Sequence, residues 1–271
     1  MRVLFFGDIM GRPGRDALLT ALPDLKARLA PDCIIVNGEN AAAGFGITRG
    51  IAQDFFDAGV HCVTTGNHVW RQKELLPHMD RLTCLLRPLN YPEGTPGHGY
   101  TVLSLPDQRK ILIVNVMGNL NMPFTLDDPF SSMDSLLQSY TLGAGINAIF
   151  VDFHAETTSE KVAMGHHLDG RVSAVIGTHT HIPTADDHIL EKGTAFQTDT
   201  GMCGDFDSVI GMRKDIILRR FTRKLGNERF EPAQGEATLC GCLVTTNDSN
   251  GRATDIQAFQ LGGCLKTRNI V

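Results

Sequence analysis

The segment AVIGTHTHIPTAD, residues 174–186, ends an apolar run in two histidines one residue apart, His179 and His181. Residues two apart in an extended chain point the same way, so the two imidazoles can serve one metal ion or one each of two neighbouring ions. Similar residue types close other apolar runs. Gly7-Asp8 follows Val3–Phe6, Glu39-Asn40 follows CIIVNG, Asn67-His68 follows VTTG, and His154 ends the run before Ala155-Glu156. Carboxylate, amide and imidazole are the donors that hold divalent cations, and an acid at a strand end costs desolvation unless a cation meets it. Taken singly, each has a plainer reading. Asp8 can close a turn or cap a helix, Glu39 can be a solvated loop residue, and Asn67 with His68 can be a satisfied hydrogen-bonding pair. Two unrelated loop histidines are the weaker alternative for His179 and His181.

These clusters have to be brought together by the elements that carry them. Val3–Phe6, Cys33–Val36, Cys62–Thr65, Ile111–Val116, Ala148–Phe153 and Val172–Ile176 read as buried strands. Helices are expected over about 15–29, 48–58, 71–79, 131–144, 158–168 and 208–225. Thr157 and Glu160 have capping-box spacing for the fifth of these. Tyr100–Leu105 with Lys110–Val116, and Ala237–Thr246 with Asp255–Leu261, read as hairpins, so the sheets should be mixed. Alternation of this kind predicts a layered α/β fold with helices on both sheet faces, in which ligands gather beyond the carboxyl ends of the strands. No repeat or linker divides residues 1–271, so one domain is expected.

Composition excludes several partners. The net charge is −5 with Lys and Arg scattered, which offers no surface for long nucleic acid. No run approaches transmembrane length and the N-terminal apolar stretch is too short for a secretion signal, so a cytoplasmic protein with no membrane partner is expected. Seven cysteines fit reduced thiols better than a disulfide framework, and Cys240 and Cys242 read as core residues on one strand face. The glycine-rich GDIMGRPG matches neither dinucleotide nor Walker spacing. His61, His78, His98, His166, His167 and His188 read as surface or packing residues. Residues 121–129 and 201–207 are candidate pocket walls, with exposed connectors as the plainer reading.

In this order the clusters resemble the calcineurin-like metallophosphoesterases, whose blocks run Asp, an acidic bridge, Gly-Asn-His, His and Gly-His-x-His. GDIMGRPGR, NGENAAAGFGIT, TGNHVW, DFHAETTSEK and DGRVSAVIGTHTHIPTAD look more closely like the YmdB-type branch, dinuclear phosphodiesterases acting on cyclic nucleotides. The resemblance implies a four-layer α/β/β/α sandwich of two mixed sheets flanked by helices. It implies two metal ions, one held by Asp8, Glu39, Asn40 and His181, the other by Glu39, Asn67, His154 and His179, with Glu39 bridging. It further implies hydrolysis of 2',3'- and 3',5'-cyclic nucleotides by a hydroxide between the ions, with His68 as general acid. The donor set suits iron or manganese. Two divalent ions against the carboxylates of Asp8 and Glu39 leave the site positive enough to attract a phosphodiester.

Three departures from the wider superfamily stand out. Met10 occupies the place of a second histidine ligand, and Asn40 is understood to supply the missing donor in the YmdB-type branch. Glu39 replaces an aspartate. Val69 follows Asn67-His68 where an acid often orients the histidine, which leaves open how His68 is held. A phosphomonoesterase, an RNA-directed phosphodiesterase, and a nucleotide-binding regulatory metalloprotein without turnover are the alternatives. Retention of His68 speaks against the last. A homo-oligomer is neither required nor excluded.

Overall fold

The structure is a computed structural model that describes residues 1–224 and 228–270. Its first alternating run is β1 (Arg2–Phe6), α1 (Gly11–Leu29), β2 (Cys33–Asn37), α2 (Arg49–Asp57) and β3 (Cys62–Thr64), followed by a 3₁₀ helix over Lys73–Arg81. A second run comprises β4 (Tyr100–Ser104), β5 (Lys110–Met117), α3 (Pro129–Leu137), β6 (Thr141–Leu142), β7 (Gly145–Ile146), β8 (Ala148–His154), α4 (Thr158–Leu168) and β9 (Ala174–Thr178). The chain closes with β10 (His188–Ile189), β11 (Ala195–Gln197), β12 (Gly204–Asp205), α5 (Lys214–Arg223), β13 (Ala237–Thr246) and β14 (Ala253–Leu261).

One sheet is ordered β12-β13-β1-β2-β3 with β14 also on β13, and the other β10-β11-β9-β8-β5-β4. Both are mixed: β1-β2-β3 and β5-β8-β9-β11 run parallel, while β13 and β4 join them antiparallel. Both expected hairpins form, as β4-β5 and β13-β14. Period-2 alternation explains the layering. Val3, Phe5, Ile35, Ile113, Phe150 and Ile176 fill the space between the sheets, with the Phe5 and Phe150 rings 5.2 Å apart. Leu4, Phe6, Ile34 and Val36 point the other way, against Leu18 and Leu22 of α1 and Phe55 of α2. On the second sheet Val114, Ile149 and Val151 meet Met133 of α3 and Met164 and Leu168 of α4. The result is the expected helix-sheet-sheet-helix sandwich.

Several boundaries differ from expectation for identifiable reasons. β9 begins and ends two residues later than 172–176, because Phe150 pairs with Ala174 and His154 with Thr178, keeping Gly177 and Thr178 inside the ladder. α1 starts at Gly11 rather than near 15, since Pro13 in the first turn forfeits an N–H that has no helical partner there. The stretch predicted as a helix over 71–79 is 3₁₀, with Pro77 inside it. α3 stops at Leu137 instead of 144; the chain enters β6 at Thr141, and Gly143 and Gly145, at φ 78° and 86°, turn it from β6 into β7. α5 covers only Lys214–Arg223 of the expected 208–225, and residue 225 of that expectation lies outside the described residues. The predicted capping box does not form. Thr157 is the N-cap without a side-chain bond, and buried Glu160 instead accepts from the backbone N–H of Asn119 (2.8 Å) and Leu120 (3.2 Å). The seven cysteines are free, with Cys240 and Cys242 buried as expected. Among the described residues no helix is long and apolar enough to cross a membrane.

Candidate metal centre

The carboxyl ends of β1, β2, β3, β8 and β9 meet at one rim. Asp8 and Glu39 are buried there, as are Asn40, Asn67, His154 and His181, while His68 and His179 are partly buried. Small residues permit the approach: a Cβ on Gly66 would collide with Glu39 Oε2 and the His154 ring. Beyond β9 the chain bends sharply, with His179 at φ 96° and His181 at φ 68°. Left-handed backbone is rarely adopted by residues with a side chain and is held here by the surrounding bonds.

The donors fall into two groups. In one, His181 Nε2 lies 3.2 Å from Asn40 Oδ1 and 3.9 Å from Asp8 Oδ1. In the other, His154 Nε2 lies 3.1 Å from each of Glu39 Oε1, Asn67 Oδ1 and His179 Nδ1. Glu39, His154 and His179 alone present three ligand atoms within 4.8 Å of one another. Two patterns show that this convergence suits a cation. Each of these three imidazoles commits its outer nitrogen to an oxygen: His154 Nδ1 to Thr178 Oγ1 (2.9 Å), His179 Nε2 to Glu156 Oε2 (3.0 Å) and His181 Nδ1 to the Ile210 carbonyl (2.8 Å). That arrangement leaves the inner nitrogens as lone-pair donors, the disposition that orients metal-ligating histidines. Asp8 accepts from the His179 N–H at 3.1 Å through Oδ2, but its Oδ1 is buried with no hydrogen-bond partner. A buried carboxylate oxygen left unpaired is costly unless a cation meets it.

The electrostatics agree. Burial raises the Asp8 carboxyl, and the His181 and His154 rings only partly offset it. Burial alone would raise Glu39 too, but His154 outweighs it and holds that carboxyl down to about 2. Burial would lower His154, yet Glu39, Asp8 and Asp152 push it up to about 9, so the pocket favours a positive centre at this spot. Burial and the neighbouring His154 push His179 down to about 3, which keeps its ring neutral and available as a donor. The residues present therefore fit metal ions.

Three features went unrecognised in the sequence. Asp152, inside the apolar run AIFVDFH, is buried beneath the site: it accepts from Thr178 Oγ1 (2.7 Å), Asn37 Nδ2 (2.9 Å) and the Thr64 hydroxyl. Burial raises its carboxyl to about 6. Thr178, whose single hydroxyl proton goes to Asp152, must accept from His154 Nδ1–H, so Asp152 and Thr178 fix the tautomer of a candidate ligand. Asp199 accepts from Lys161 Nζ at 2.7 Å and from the Thr180 N–H and hydroxyl, which pins the loop carrying His179 and His181.

His68 has no acidic neighbour at residue 69; buried Val69 packs in the core instead. His68 is held by its own N–H, which donates to Glu39 Oε2 at 3.2 Å, and by the edge of Phe45, with ring centroids 5.1 Å apart. Burial lowers its imidazole, with Glu39 opposing. Met10 is no ligand and packs among Met202, Met212 and Ile217. A pocket of about 360 Å³ opens from the donors, lined by Glu39, Asn40, His68, His179 and His181 on one side and by Phe45, Val209, Ile210, Met212, Phe221 and Phe230 on the other. Neither 121–129 nor 201–207, the candidate walls, lines it, in keeping with the plainer reading of both as connectors.

The model of the YmdB-like protein family matches residues 4–259. A 2',3'-cyclic-nucleotide 2'-phosphodiesterase of Bacillus subtilis is 44% identical over 257 residues, covering 95% of this chain and 96% of its own length. The crystal structure of a hypothetical protein from Thermus thermophilus superposes with a TM-score of 0.89 at 42% identity, covering 97% of this chain and 100% of that one. That of a phosphatase from Mycoplasma pneumoniae gives 0.90 at 35% identity, covering 97% and 93%. With its two-sheet sandwich and this rim of donors, the chain belongs to the YmdB-like family of metallophosphoesterases.

Proposed function

We propose that the protein hydrolyses a small phosphodiester, a 2',3'-cyclic nucleotide and also a 3',5'-cyclic one, at a dinuclear centre. The observation that carries this reading is the pair of donor groups flanking an unpartnered buried Asp8 oxygen at the floor of a nucleotide-sized pocket. Asp8, Asn40 and His181 would hold one ion, Asn67, His154 and His179 the other, and Glu39 would bridge them. Two ions held there would supply positive charge for the phosphoryl oxygens and lower the pKa of an attacking water. The mixed oxygen and nitrogen donors favour iron or manganese.

The chain's own groups do the rest. Asn67 and Asn40 turn their amide oxygens inward; Asn40 donates its Nδ2–H to the Gly44 carbonyl at 2.9 Å, which fixes that choice. His68 stands at the mouth of the donor cluster beside the pocket, where an imidazole can hand a proton to the departing alkoxide. An entering phosphate anion favours the protonated ring and offsets the lowering that burial imposes. The free thiols of all seven cysteines accord with a cytoplasmic protein. The 44% identity to a cyclic-nucleotide phosphodiesterase favours this reading over a phosphomonoesterase. Turnover of a panel of 2',3'- and 3',5'-cyclic nucleotides with and without chelator tests it. Chelator-sensitive hydrolysis is expected; hydrolysis of phosphomonoesters alone, or of nothing, would reject it.

A further inference from the structure

The wall of the pocket opposite the metal donors has a composition that phosphate chemistry does not require. Phe45 and Phe230 line it, and Ile210 and Phe221 stand at its edge with 51% and 70% of their surface exposed. Large apolar side chains left open beside a polar site mark a surface that a ligand covers. Phe230 carries the Arg220 guanidinium 4.4 Å from its ring centroid, and Arg220 lines the same pocket. Phe45 is braced by His68 and by the methionine cluster around Met10. Two packed rings and one exposed ring thus line a space that continues directly into the donor cluster.

Resting on the proposed activity, we infer that this wall is a nucleobase seat, with Phe45, Phe221 and Phe230 offering ring faces to the base while the phosphate sits on the donors. Flat apolar faces contact every base alike, and the seat therefore grips purines more than pyrimidines through area and reads base edges little. The substrate class is a base-bearing nucleotide rather than any small cyclic phosphate. The φ of 47° at Ile210, whose carbonyl accepts from His181 Nδ1, couples the edge of the seat to a metal-binding histidine.

The test is an equilibrium one and needs no turnover. Metal-loaded enzyme is titrated calorimetrically with a purine nucleoside 3'-monophosphate and, separately, with inorganic phosphate. The wild type should bind the nucleotide roughly 5- to 150-fold more tightly, the range of one base on an aromatic ring. Phe230→Leu, which keeps the apolar volume, and Phe221→Ala, which removes an exposed ring without touching the core, should each shrink that ratio. Phe230→Tyr should restore it. Equal affinities in the wild type, or a ratio unmoved in both F230L and F221A, would overturn the inference. Failure of cyclic-nucleotide turnover with the ratio intact would instead reject the proposed activity and leave the seat standing.

Discussion

Thr178 illustrates how much of the site rests on residues that are not ligands. Its hydroxyl sits between the Asp152 carboxylate and His154 Nδ1, so that Nε2 faces Glu39 and Asn67. Thr178→Val keeps the shape and removes the relay. It should weaken metal affinity by about 10- to 100-fold, read by competition with a chromogenic chelator; unchanged affinity would mean that packing alone orients the ring. His68 makes a different demand, since neither donor group contains it. His68→Ala should retain the metals and lose about 10²- to 10⁴-fold in turnover of substrates with poor leaving groups, measured beside metal content. The ligand candidates were legible in the sequence because each is a polar residue placed where an apolar run stops. Asp152 was not, because it lies inside such a run, and only the neighbouring strands reveal that Thr64, Asn37 and Thr178 satisfy it.

At the scale of elements, β9 positions the site more than its length suggests. Gly177 lies in the ladder opposite Phe153, and a Cβ there would overlap the Thr198 carbonyl, which forces β11 and the following loop to withdraw. Gly177→Ala should cost at least about 1–3 kcal/mol, the usual penalty of overpacking, visible as a lower melting temperature. A melt matching the wild type would show that the loop yields freely. The longer strands and both hairpins were readable as short apolar runs bounded by turns; the short β6, β7, β10, β11 and β12 were not, having no such run. The ends of β9 were not, because Thr178 is polar yet stays paired, and α3 was overextended because its apolar spacing continues past the point where the chain turns into β6 and β7. Thr157 and Glu160 have the right spacing for a capping box, but Glu160 has better partners in the Asn119 and Leu120 N–H groups. The aromatic wall was missed for a related reason: Phe45 and Phe230 are far apart in sequence and carry no spacing signal.

Across the whole molecule, the two sheets stack so that five strand ends open at one rim, and a buried ion pair secures the junction. Lys161 of α4 reaches Asp199 beyond β11, and Asp199 also holds Thr180 between the two site histidines. Lys161→Met would leave that carboxylate buried without its cation, which should destabilise the protein by about 3–5 kcal/mol in chemical denaturation; a cost near zero would show that the Thr180 and Gly201 hydrogen bonds suffice. The architecture itself was legible, since alternating strands and helices leave few alternatives to a layered α/β fold. If the seven rim residues hold two metal ions needed together for hydrolysis of a cyclic nucleotide, elemental analysis of the active enzyme should find two ions per chain, and turnover should rise with the second equivalent as metal is returned to the chelated protein; full turnover at one equivalent, or in the presence of chelator, would rule this out.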